Sequence, residues 1–178
     1  GLDISEQMVE RTKTRLEVVN PTANVTKEGV ANLPPRVPTA NIIQANLAEP
    51  LQLENESFDL ILSSLTLHYL ESWKLTFSEF NRILKTNGLF IFSVHHPFEE
   101  FKLSGENYFA TEERKRKGGQ VSFRRSLSTM TETLSQTGFL IERLLEPLPD
   151  AAYAETDLEG YEGLLKFPGL LVVHAKKI

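Results

Sequence analysis

The sequence predicts an α/β sandwich built on a largely parallel sheet. Three observations carry this. Helical and strand-like segments alternate along the chain, the clearest apolar runs ("FDLILSSL", "LFIFSV") lack the alternation of half-exposed strands, and each run ends in polar residues. At 178 residues the length fits one domain, so 1–178 reads as a single unit.

The chain opens on "GLDIS", in which Gly1–Ile4 reads as the end of a strand and Ser5 as a helix cap. From Ser5 to Val19, Met8, Thr12, Leu16 and Val19 recur at helical spacing, and Glu6 suits the positive first turn. Residues 20–39 hold four of the nine prolines, and "NLPPRVPTA" reads as a loop. "NIIQANL" and "FDLILSSL" then read as strands buried on both faces. From Ser72 the stripe Trp73, Phe77, Phe80 and Leu84 marks a helix, for which Asn87-Gly88 supplies the stop. "LFIFSV" is the next buried strand.

Residues 97–121 are polar, charged and glycine-containing, and read as a long mobile excursion ending at Gly118-Gly119. A helix follows from Ser128 to Gln136, with Thr129 and Glu132 as a capping box and Gly138 as terminator. "FLIERLLEP" and "GLLVVHAKK" are the last strands. A short helix near 158–166 separates them, and they suit an antiparallel pair at the sheet edge.

Composition narrows the function. No cysteine is present, which removes disulfides, thiolate metal sites and a cysteine nucleophile. The net charge of −5 argues against nucleic-acid binding through whole-molecule charge. One basic cluster, Arg114 to Lys117 with Arg124 and Arg125, runs against that balance. It reads either as a solvated loop or as a contact for an anionic ligand. The four histidines have no metal-ligand spacing, so no metal is expected. With no membrane-length apolar run and no export signal, a cytoplasmic location without membrane association is expected.

In an open α/β sheet, ligands lie beyond the carboxyl ends of the strands. Those ends carry Asp3, Asn46-Leu47, Ser63-Ser64 with His68 soon after, and His95-His96-Pro97. An acidic residue such as Asp3 at a strand end is how such folds hold a ribose through its hydroxyls.

These residues carry a family resemblance. "GLDISEQMVERTK", "SFDLILSSLTLHYL" followed by "RILKTNGLFIFS", and "TGFLIERLLEPLP" with "LLVVHAKK" resemble, in order, a class I S-adenosylmethionine-dependent methyltransferase. The type is the small-molecule one that includes quinone-biosynthesis enzymes. The resemblance implies a Rossmann-like three-layer α/β/α sandwich with a mostly parallel sheet and an antiparallel last strand. The family's first strand, glycine-rich loop and first helix have no counterpart here, so the expectation is an N-terminally truncated, partial domain. A sheet lacking that central strand would leave unpaired backbone, and could recruit a strand from a second copy as a homodimer.

The resemblance also implies roles. Asp3 with Ile4 would hold the cofactor ribose, Asn46 the adenine amino group, and Leu47 the adenine face. Ser63, Ser64 and Leu65 would pass beside the methionine part. His68, His95 and His96 would face the acceptor; only one of the last two can enter the pocket, His96 being preferred, since successive strand residues point oppositely. A histidine there could take a proton from the acceptor. Arg125, Tyr108, Tyr153 and Tyr161 would contact the acceptor, and His174 needs no function. The implied reaction is in-line transfer of a methyl group from S-adenosylmethionine to a small molecule. The alternatives are a non-catalytic methyltransferase-like binding module and, more weakly, a nucleotide-dependent oxidoreductase.

Overall fold

The computed structural model describes residues 1–19, 41–104, 107–115 and 119–178. The expected loop over 20–39, apart from its flanks, and the cluster members Arg116 and Lys117 lie outside the described residues. Two compact units emerge, Gly1–Leu47 and Ala48–Ile178.

In the smaller unit, β1 (Leu2–Asp3) and β2 (Ile43–Gln44) pair in parallel, Leu2 opposite Ile43 and Asp3 opposite Gln44. The ladder continues through the amide of Ala45, which donates to the Asp3 carbonyl at 2.9 Å. α1 (Glu6–Val19) starts where the sequence places it, with the Ser5 hydroxyl accepting from the Met8 amide at 3.3 Å. Its inward face is turned by one position from the expected stripe, since Val9 is 4% exposed and Met8 44%. "NIIQANL" was expected as a strand covered on both faces. It contributes only the two residues of β2, both exposed, because its one partner is the equally short β1.

The larger unit is organised on a four-stranded sheet. It comprises β3 (Phe58–Ser64), β4 (Leu84–His95), β7 (Phe139–Leu145) and β8 (Leu170–Lys177), in the spatial order β3-β4-β8-β7. β3 is parallel to β4, and β8 is antiparallel to both its neighbours. The antiparallel pair expected at the edge is thus present, but the last strand lies inside the sheet and β7 forms the edge. β3 forms the other edge of this sheet. Its pairing is with β4 alone, so Leu62 is 71% exposed, against the expectation of burial on both faces.

α2 (Lys74–Ile83) covers one face of the sheet. The stripe at 73, 77, 80 and 84 is buried as its spacing demands. Phe77 and Phe80 meet Phe90 edge-on with ring centroids 5.1 and 5.0 Å apart, and Trp73 meets Phe92 at 5.8 Å. Phe90, Phe92 and Val94 point to the same side of β4, opposite Ala175, Val173 and Leu171 of β8. The helix stops earlier than Asn87-Gly88, because Leu84 is already extended and paired with Phe58. Asn87 takes a left-handed φ of 64° inside the irregular start of β4, between the pairs Phe58–Leu84 and Leu60–Leu89.

Residues 97–121 were expected to be an unstructured excursion. The described part contains α3 (Pro97–Ser104) and an antiparallel hairpin of β5 (Glu112–Lys115) and β6 (Val121–Arg124). Ser122 and Arg124 alternate on the buried side of β6, which gives the hairpin an inner face. α4 (Leu127–Gln136) is capped by Ser126, whose hydroxyl accepts from the Thr129 amide at 3.2 Å, in place of the expected box at Thr129 and Glu132. Gly138 ends it with a φ of 82°. A Cβ there would lie 2.8 Å from the Asn81 amide nitrogen. A short α5 (Leu158–Leu164) precedes β8.

One polar network ties the 51–55 segment to α2. Glu79 accepts from the Leu51 amide at 2.8 Å and from Arg82 through both carboxylate oxygens, while Arg82 donates to the carbonyls of Leu51 and Leu53 and to Asn55. These hydrogen bonds, above all the one from Arg82, hold the Glu79 carboxyl below its ordinary value of 4.5. The network therefore stabilises the fold fully above that value and loses its contribution as pH falls through the lowered folded value. Urea midpoints measured from pH 7 down to 3 should drop less steeply for Glu79→Gln than for the unmodified chain; parallel profiles would refute this. Phe90→Ala is expected to cost about 3–5 kcal/mol in the same assay, whereas Leu62→Ala should stay within about 0.5 kcal/mol.

Candidate functional site

Each unit carries part of the site at its strand ends. In the smaller unit, parallel pairing puts Asp3 and Asn46 just beyond neighbouring ends. Asp3 Oδ1 accepts from the Ser5 amide at 2.8 Å, which fixes the carboxylate over the entry to α1. Its Oδ2 carries none of the hydrogen bonds found among the described residues. The Ile4 side chain is exposed, and its carbonyl accepts from Gln44 Nε2 at 3.0 Å. Asn46 and Leu47 are half-buried where the chain leaves β2. Sequence order alone separates Asp3 from Asn46 by more than 40 positions; strand pairing makes them neighbours.

In the larger unit, the carboxyl ends of β3 and β4 come together. The hydroxyls of Ser64 and Ser93 lie 3.3 Å apart, and the Leu65 amide donates to the Ser93 carbonyl at 3.0 Å. Ser63 Oγ is buried and has no hydrogen-bond partner among the described residues. Leu65 holds a left-handed φ of 48°, a conformation costly for a side chain with a Cβ and concentrated at functional sites. The turn it makes leads into the single 3-10 turn Leu67–Tyr69, which buries His68.

His68 and His95 meet edge to face with ring centroids 5.1 Å apart, and both line a small enclosed cavity. Trp73, Ser122, Arg124 and Arg125 also border it. His96, the histidine preferred for this position, is directed elsewhere. Its Nδ1 accepts from the Phe98 amide at 3.1 Å and its Nε2 lies 2.9 Å from Glu146 Oε1. With both ring nitrogens engaged it braces the turn after β4, and His95 occupies the cavity face, as the alternation of the strand requires.

Arg124 and Arg125 are buried, which removes the solvated-loop reading for these two. Arg125 Nη2 donates to the carbonyls of Leu70 and Glu71 at 2.7 and 3.0 Å, and its guanidinium lies 4.3 Å from the centre of the Trp73 ring. Trp73 Nε1 in turn donates to the Leu67 carbonyl at 2.7 Å. The turn carrying His68 is thus held on both sides. Burial pushes the Arg125 guanidinium down to about 10.

The three tyrosines do not line the cavity. Tyr108 accepts through its hydroxyl from the Leu127 amide at 3.2 Å, and Tyr153 donates to Asp157 at 2.9 Å. The Gly160 amide and the Tyr153 hydroxyl hold the Asp157 carboxyl below its ordinary range, and Asp157 in turn raises the Tyr153 phenol. Tyr161 lies within α5. His174 sits in β8 opposite Ile91 and Arg143. Among the described residues no group of three or more His, Asp or Glu side chains could hold a metal ion, and no helix is long and apolar enough to cross a membrane. The roles of Trp73 and Ser122 at the cavity were not legible in sequence. Trp73 reads only as a member of an apolar stripe, and Ser122 falls in a stretch whose strand character is masked by charge.

A protein of Mesorhizobium loti solved as an S-adenosylmethionine-dependent methyltransferase is 28% identical, with a TM-score of 0.76 over 99% of this chain and 79% of that one. A structure from Listeria monocytogenes assigned to the same activity superposes with a TM-score of 0.78 at 24% identity, over 100% of this chain and 78% of that one, a likeness of fold. An uncharacterised protein of Haemophilus influenzae is 25% identical over 202 aligned residues, all of this chain and 71% of that protein. The model of the methyltransferase domain matches residues 1–92, more than half of the 178. The chain therefore belongs to the methyltransferase-domain family.

Proposed function

We propose that this protein transfers a methyl group from S-adenosylmethionine to a small-molecule acceptor in the cytoplasm. The observation that carries the reading is the pairing of β1 with β2. It sets a carboxylate and an amide acceptor, Asp3 and Asn46, at adjacent parallel strand ends in a member of the methyltransferase-domain family. The residues present suit that cofactor. Asp3 Oδ2 can accept from ribose hydroxyls while Oδ1 stays anchored on Ser5, and the Asn46 side-chain oxygen can accept from an adenine amino group, with Leu47 offering apolar contact. The unsatisfied Ser63 hydroxyl, with Ser64 and the strained Leu65 turn, suits a polar ligand group beside the end of β3.

When bound, the cofactor supplies a methyl carbon activated by positive sulfur, and the chain's own task is chiefly alignment. The acceptor lies toward His68 and His95. Where its nucleophile is a hydroxyl or an amine, the imidazole of His95 takes the proton released as the new bond to carbon forms. His96 holds the turn after β4 and thereby the orientation of His95, so it is a positioning residue.

Calorimetric titration with S-adenosylmethionine tests the reading, with saturable one-to-one binding expected. Asp3→Ala should weaken it about 10- to 100-fold, the worth of charge-assisted hydrogen bonds, and Asp3→Asn by less. Absence of binding by the unmodified chain would sink the reading. Once an acceptor is identified by mass spectrometry of methylated products, His95→Gln should lower kcat about 100-fold or more and remove its rise with pH near neutrality. An unchanged profile would show that His95 transfers no proton.

A further inference from the structure

Arg125 is a buried cation with no carboxylate beside it. It is 4% exposed, and its partners are neutral: two carbonyls held by Nη2, the Phe123 carbonyl at 3.5 Å from Nη1, and the face of Trp73. Neutral dipoles and a π face offset only part of the cost of taking a guanidinium out of water. Arg124, beside it, is equally buried. Its Nη2 contacts the Glu112 carboxylate and donates to the Asn107 carbonyl at 3.2 Å, whereas its Nη1 has no hydrogen-bond partner among the described residues.

Both arginines border the cavity shared by His68 and His95. Two cations against the single carboxylate of Glu112 leave one positive charge uncompensated. The cavity measures about 10 Å³, enough for one small group. A planar group with one negative charge and two acceptor oxygens matches the charge, the size and the unused guanidinium donors. A phosphate is too large and too highly charged for the same place.

We infer that this cavity takes a carboxylate, and that the methyl acceptor is a carboxylic acid whose acid group is held by Arg125 and Arg124 Nη1. This rests on the methyltransferase reading for the word acceptor, but not for the carboxylate site itself. With the acid group seated between the arginines, the remainder of the molecule lies against the His68–His95 pair, where transfer would occur.

Trp73 is the only tryptophan in the chain and stacks on Arg125, so its emission reports on the cavity directly. Sodium acetate is titrated against acetamide, its neutral counterpart, with ionic strength held by sodium sulfate, which is too large to enter. Acetate should give a saturable change in emission and acetamide none. Arg125→Met should weaken the response about tenfold or more, and Arg125→Lys, which keeps the charge and the stem, by less. The Arg125 Nε–H resonance of the unmodified chain should move with acetate in the same concentration range, so the test stands even where a substituted chain folds poorly. No saturable response, or equal responses to acetate and acetamide, would overturn the inference. S-adenosylmethionine is titrated into the same preparation. Cofactor binding without an acetate response would refute the carboxylate site alone, and an acetate response without cofactor binding would refute the methyltransferase reading alone.

Discussion

The packing of α2 against β4 is the constraint on which the larger unit depends. Phe77, Phe80 and Trp73 lock onto Phe90 and Phe92, and each fully buried ring contributes about 1.5–3 kcal/mol of apolar burial with additional gain from edge-to-face contact. That contact decides which side of β4 faces the helix. By alternation it also decides which of His95 and His96 reaches the cavity. Trp73 belongs to both systems: its ring packs on Phe92, its Nε1 fixes the turn before His68, and its face carries Arg125. Core and site are therefore one set of contacts, and a change in the core at Trp73 is felt at the histidines.

Elements with strong local signals were legible in the sequence. The 3.6-residue stripe over 73–84 and the cap at Ser5 located their helices, and Gly138 marked a turn that requires a positive φ. What the sequence could not convey was lateral placement. "FDLILSSL" is apolar enough for a central strand, yet it pairs on one side only within its sheet, and β8 is inserted between β4 and β7, not beside them. The hairpin β5–β6 was hidden because its charges read as solvated. Arg124 and Arg125 are neutralised by contacts distant in sequence, Glu112 and the carbonyls at 70 and 71, which no local window reveals.

The same distinction runs through the site. Asp3, Asn46, the Ser63–Leu65 turn, His68 and His95 were readable as polar residues at strand ends, because the architecture of a parallel sheet concentrates ligand contacts there. His96 was misjudged for a reason only three dimensions supply: Glu146 and the Phe98 amide claim both of its nitrogens. The tyrosines at 108, 153 and 161 had only their aromatic character to recommend them, and two of their hydroxyls serve local structure. Charge in an apolar setting is the feature that separates the cavity from an ordinary core, and it arises from two adjacent arginines with one carboxylate between them.

The central claim is that Asp3 and Asn46 form the nucleoside end of a cofactor site. A crystal structure of the protein with S-adenosylhomocysteine, which cannot react, tests it most directly. Ribose hydroxyls within hydrogen-bond distance of Asp3, with the adenine amino group at the Asn46 side chain, is the expected result. A ligand bound away from both residues would contradict the account.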